Sequence, residues 1–129
     1  MRLTIDTNIY AALKSGSMHI RELLEKADEI LVPVTVLGEL YAGFQIGRLT
    51  EKNMNELDEF LSKPGISVIE IDKDTSFRYG FLIKELRKQG TPIPSNDVWI
   101  AASVMDTGSI LVSRDKHFKN VPGLLVMDC

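Results

Sequence analysis

Short apolar runs punctuate the chain at Leu3 to Ile5, Ile30 to Val32, Ile66 to Ile71, Ile110 to Val112 and Leu124 to Met127, and segments of helical spacing separate most of them. That alternation predicts an α/β fold with a mainly parallel sheet. In Thr50 to Lys63 the apolar positions Met54, Leu57, Phe60 and Leu61 share one face, with Thr50 as the expected N-cap and Pro64-Gly65 as the stop. In Asp74 to Gln89, Asp74 is an expected cap, Phe77, Phe81, Leu82 and Leu86 form the expected apolar face, and Gly90 ends the pattern. A proline-rich loop, Thr91-Pro92-Ile93-Pro94-Ser95, then leads into Asn96 to Asp106, where Val98, Ile100, Ala101, Ala102 and Val104 make an almost uniformly apolar helix.

The chain has 129 residues, about one domain at the usual ~150 residues each, so a single unit over residues 1–129 is expected. Hydrophobic residues make up 44% and charged residues 26%, a balance that builds a core and argues against disorder. Cys129 is the lone cysteine, which excludes an internal disulfide and a thiolate metal cluster and points to a reducing compartment. Asp6 stands where a signal peptide needs its apolar run, and no segment offers the ~20 apolar residues that span a bilayer. A cytoplasmic protein with no membrane partner is therefore expected. With 18 acids against 15 bases the net charge is -3, which taken literally opposes a polyanionic substrate.

The placement of the acids changes that picture. In parallel α/β sheets chemistry lies beyond the carboxyl ends of the strands, so acids that follow apolar strands matter: Asp6, Asp72 and Asp115. Two more, Glu39 and Asp97, fall in or just inside apolar helices, where an uncompensated charge is costly. Each has a plainer reading. Asp6 can cap the following helix, Asp97 can serve the helix dipole, Glu39 can lie on a solvated edge, and Asp115 can belong to a surface loop. Asp72, in Asp72-Lys73-Asp74, is simply a helix-capping turn. Convergence of Asp6, Asp97 and Asp115 with Glu39 nearby makes sense only around a cation. An all-oxygen set selects Mg2+ or Mn2+, one or two ions, which typically act on phosphate esters.

The four acids also carry a resemblance. Ile5-Asp6-Thr7-Asn8, Glu39-Leu40-Tyr41-Ala42-Gly43, Ile93 to Ala102 around Asp97, and Leu111-Val112-Ser113-Arg114-Asp115-Lys116-His117-Phe118 occur in the order and at the spacing of PIN domains. Over essentially its whole length the sequence resembles that family, and within it the VapC toxins of VapBC toxin–antitoxin systems. The resemblance implies a three-layer α/β/α sandwich with a mainly parallel central sheet of four to five strands. It implies a Mg2+- or Mn2+-dependent endoribonuclease that cuts RNA, often transfer or ribosomal RNA. Asp6, Asp97 and Asp115 would be metal ligands and Glu39 would complete the acidic quartet, while Ser113, Thr7 and Asn8 would hold the carboxylates in place. A homodimer and a VapB-like antitoxin are implied as partners.

Other residues are weighed against this set. Arg114 and Lys116 flank a proposed ligand and are the better candidates for RNA-backbone contacts. His117 is assigned to packing or to the surface, and Trp99 to the core. A response-regulator receiver would need adjacent acids after the first strand, and a haloacid-dehalogenase-type phosphatase would need Asp-x-Asp there. Asp6-Thr7-Asn8 satisfies neither. The remaining alternative is a PIN domain that binds without cutting, which the full quartet disfavours. Without the four acids, 14 acids face 15 bases, so the excess negative charge is the expected site itself.

Overall fold

A computed structural model describes residues 1–129. The elements run β1 (Arg2–Ile5), α1 (Thr7–Lys14), α2 (Met18–Glu25), β2 (Glu29–Pro33), α3 (Val34–Ile46), α4 (Thr50–Leu61), β3 (Ile66–Ile69), α5 (Lys73–Lys88), α6 (Ser95–Thr107), β4 (Ile110–Val112), a 3-10 turn (Lys116–Asn120) and β5 (Val126–Met127). The five strands form one sheet in the order β3-β2-β1-β4-β5, and every neighbouring pair is parallel. The result is a three-layer α/β/α sandwich. Leu3 and Ile5 of β1, Val32 of β2 and Leu111 and Val112 of β4 are fully or almost fully buried, as strands covered on both faces must be.

The strand order positions the chemistry. From β1 the chain steps outward to β2 and β3, then α5 and α6 carry it back across to β4 on the other side of β1. The sheet therefore reverses direction between β1 and β4. A crevice opens there at the carboxyl ends, because the connections leaving the two strands diverge. Register brings Ile5 opposite Val112 in this pair, so Asp6 and Ser113 emerge side by side.

Local structure departs from the sequence pattern at several places. Asp72, not Asp74, caps α5: its Oδ1 accepts from the backbone N–H of Thr75, and Thr75 Oγ1 reaches back to complete a capping box. The inward stripe of α5 is Thr75, Leu82 and Leu86 with Tyr79 packed against the core. Phe77 and Phe81 lie on the adjacent stripe and are 80% and 52% exposed. Thr50 does not cap α4; its Oγ1 donates to the carbonyl of Phe44 and ties off the last turn of α3. Finally, β3 ends at Ile69 rather than Ile71, and β5 keeps only Val126 and Met127 of the four-residue run. Trp99 is partly buried rather than enclosed, stacking on Tyr79 with ring centroids 3.9 Å apart and so joining α6 to α5.

Candidate metal centre and active site

Asp6 ends β1 and begins α1, and both duties fix its carboxylate. Oδ1 accepts from the backbone N–H of Ile9 at 3.0 Å as the N-cap of α1. Oδ2 accepts from Ser113 Oγ at 2.5 Å, the neighbour supplied by the β1–β4 register. The side chain is buried, with the residue 5% exposed. Burial pushes its pKa up from the ordinary 3.8; the Ser113 and Ile9 hydrogen bonds pull the other way, while the charges of Asp115 and Asp97 add to the rise.

Asp115 follows β4 after a short turn. Its backbone N–H donates to Ser113 Oγ at 3.0 Å, so one hydroxyl holds both strand-end acids. Its Oδ1 accepts from the backbone N–H of His117 at 2.9 Å and caps the 3-10 turn, which Phe118 anchors in the core. Asp97 comes from the opposite side of the crevice, in the first turn of α6. Pro94 breaks the loop and its carbonyl accepts from Asp97 and Val98, starting the helix there. Burial is the main cause of a raised pKa at Asp97, opposed by a hydrogen bond from His117 and reinforced by the Asp115 charge.

Glu39 sits inside α3, and its Oε1 accepts from Thr7 Oγ1 at 2.8 Å. Thr7 thus ties the residue after Asp6 to the fourth acid. One turn earlier on the same face of α3, Thr35 Oγ1 is buried without a hydrogen-bond partner. Asn8 is exposed and its side chain bonds none of these groups; Arg114 and Lys116 are exposed beside Asp115 and form no ion pair.

The residue that sequence reasoning set aside is His117. Its Nδ1 lies 3.0 Å from Asp97 Oδ2 and 3.2 Å from Asp115 Oδ1. One ligand atom each from Asp97, Asp115 and His117 falls within 4.8 Å of the others. The available signal was the Asp115-x-His117-Phe118 spacing: a capped 3-10 turn with Phe118 pointing inward turns His117 back toward its own cap. A cavity of about 520 Å3 lined by Leu13, Lys14, Arg21, Asp28, Phe60 and Lys63 lies at the amino ends of the strands and includes none of the four acids.

The donor set fits a hard divalent cation. Asp97 and Asp115 bring donor atoms within 4.8 Å of each other. Both act on the buried Asp6, and Asp6 and Asp97 are pushed toward protonation by burial and by neighbouring carboxylate charge. A divalent ion would relieve that repulsion, and carboxylate oxygens are the ligands Mg2+ and Mn2+ prefer.

Residues 3–124 match the PIN-domain family pattern. The chain belongs to the PIN-domain family. Among curated PIN relatives, ribonuclease VapC2 of Haemophilus influenzae is 28% identical over 96% of this chain and 95% of its own length. The tRNA(fMet)-specific endonuclease VapC of Salmonella typhimurium is 25% identical over 99% and 98%. Of solved structures, VapBC2 from Rickettsia felis bound to a promoter DNA fragment superposes with a TM-score of 0.90 at 30% identity, over 100% of this chain and 99% of the matched one. DNA-bound VapBC from Salmonella typhimurium gives a TM-score of 0.89 at 25% identity, over 99% and 98%. No helix of this PIN domain is long and apolar enough to cross a membrane.

Proposed function

We propose that this PIN domain is the toxin of a VapBC-type toxin–antitoxin pair, a Mg2+- or Mn2+-dependent endoribonuclease that hydrolyses RNA phosphodiester bonds, with transfer or ribosomal RNA as the target class. The observation that carries the reading is the meeting of Asp6, Asp97 and Asp115 at the β1–β4 reversal, with Asp6 and Asp115 clamped to one hydroxyl of Ser113. The VapC names of the curated relatives support the ribonuclease class, and the tRNA(fMet)-specific relative supports transfer RNA.

Asp6, Asp97 and Asp115, with Glu39, would hold one or two ions. When bound, such an ion supplies a Lewis acid for the phosphate oxygens and lowers the pKa of water. This chain's own groups do the rest. Ser113 holds Asp6 and Asp115 in register, and Thr7 holds Glu39, which orients the attacking water. Arg114 and Lys116 stand at the rim to meet backbone phosphates. Asn8, exposed at the start of α1, lies close enough in sequence to Asp6 to contact bound RNA or water. The protein would act in the cytoplasm as a homodimer of single-domain chains, held inactive by a VapB-like antitoxin.

The test is cleavage of structured RNA by antitoxin-free protein with Mg2+ or Mn2+, beside Asp97→Asn. Cutting is expected only with metal and the intact acid. Activity that survives EDTA, or that is equal in the variant, rejects the mechanism. A protein that binds antitoxin and never cuts RNA would be a scaffold.

A further inference from the structure

We infer that His117 is a nitrogen ligand of this centre, contributing Nδ1 beside the carboxylates of Asp97 and Asp115 and biasing the site toward Mn2+ over Mg2+. The inference rests on the proposed reading of the acids as a divalent-cation site and adds a donor that reading does not contain.

Donors in adjacent positions of an octahedral ion with bonds of about 2.1 Å stand about 3 Å apart. His117 Nδ1 lies 3.0 Å from Asp97 Oδ2 and 3.2 Å from Asp115 Oδ1, the spacing of one ligand beside two others. A single ring nitrogen can donate at most one proton, so it leaves two converging carboxylates incompletely served. A cation bound by all three would draw one lone pair from each group at once.

The ring is also placed rather than free. The backbone N–H of His117 is fixed by Asp115 Oδ1, and the next residue, Phe118, is buried in the core. The main chain therefore aims the imidazole back at its own cap, leaving the side chain about half exposed at the crevice mouth. Ligands that are all oxygen give Mg2+ its best case. An imidazole raises the affinity of transition ions, in the Irving–Williams order, far more than that of Mg2+.

The chain holds two histidines, and the other, His19, lies on α2 away from the acids. Electron spin-echo envelope modulation of substoichiometric Mn2+ bound to tag-free protein therefore reads His117 directly. Expected is 14N coupling in the wild type and in His19→Gln, and its loss in His117→Gln. Calorimetry should show Mn2+ binding weakened about tenfold or more in His117→Gln, with Mg2+ binding weakened less than about threefold. Melting in EDTA checks that the variant is folded, and the wild-type spectrum needs no variant at all. Mn2+ bound without nitrogen coupling, coupling that persists in His117→Gln, or equal weakening for both ions overturns the role of His117 while leaving the carboxylate site standing. Failure of the wild type to bind either ion overturns both.

Discussion

Replacing Asp6 by Asn should stabilise the metal-free protein while abolishing its response to metal. Asn is as good an N-cap as Asp, so the bond from Ile9 is kept. Its amide would donate to Ser113 Oγ, exchanging a charge-assisted bond for a neutral one at a loss of about 1 kcal/mol. Against this stands removal of a charge on a residue only 5% exposed, facing two like charges. Burying an ion costs on the order of several kcal/mol, which the two hydrogen bonds to Asp6 offset only in part. The net expectation without metal is a gain of about 1 kcal/mol, or ~4 °C in Tm for a domain of this size. Asp6→Ala removes the cap as well, which costs about 1 kcal/mol, and should melt below Asp6→Asn. In Mg2+ at a hundred times Kd, the wild type should gain about 2.7 kcal/mol by mass action and Asp6→Asn almost nothing. The two melting curves therefore exchange order between EDTA and Mg2+. Differential scanning calorimetry in both buffers is the assay. A wild type more stable than Asp6→Asn in EDTA, or an equal metal-induced shift in both proteins, would refute the reasoning.

The same carboxylates give a signed pH dependence. Asp6 and Asp97 have folded pKa values above their ordinary 3.8, so in that window the native chain holds more protons than the unfolded one. Their contribution is present at low pH and lost as pH rises through the folded values. The stability of metal-free wild type relative to Asp6→Asn should thus fall as pH rises above 3.8, measured by urea unfolding in EDTA, and a rise would contradict it. Ser113→Ala strips the donor from Asp6 and the acceptor from the Asp115 N–H. Denaturant melts should show a loss of about 2 kcal/mol, and calorimetry a loss of metal affinity of about tenfold or more. Arg114→Ala with Lys116→Ala should weaken RNA binding without moving metal affinity, and should flatten the salt dependence by about 0.7 in log–log slope per lost phosphate contact. An unchanged slope in fluorescence anisotropy would remove these residues from the interface.

Much of the fold was legible because both decisive patterns are local. Five short apolar runs became the strands, and the almost uniformly apolar Val98 to Val104 became the buried part of helix α6. Faces were less legible. On α5 the four apolar residues fall on two stripes, Phe77 with Phe81 and Leu82 with Leu86, and only tertiary packing decides which stripe turns inward. Cap positions slipped by a residue or two because Asp72 and Asp74 are both competent, and the Thr75 hydroxyl, which completes a box only with Asp72, settles the choice.

The candidate site divides along the same line. Asp6 was visible as a strand-end acid and Ser113 only through the family resemblance, and their pairing needed the β1–β4 register, which no local pattern contains. His117 was hidden for a different reason. On composition a histidine two residues after an acid in a polar loop is a surface residue, and its approach to Asp97 joins it to a residue 20 positions earlier, in the first turn of a helix on the other wall of the crevice. The net charge of -3 reads differently once the acids are placed. Asp6, Asp97 and Asp115 act on one another at one end of the sheet, leaving 15 acids against 15 bases elsewhere, so charge summed over the sequence misstates the field at the mouth, where Arg114 and Lys116 stand. If a cation neutralises the acids there, the sign of the field reverses with occupancy, and affinity for RNA should depend on the metal before any bond is cut.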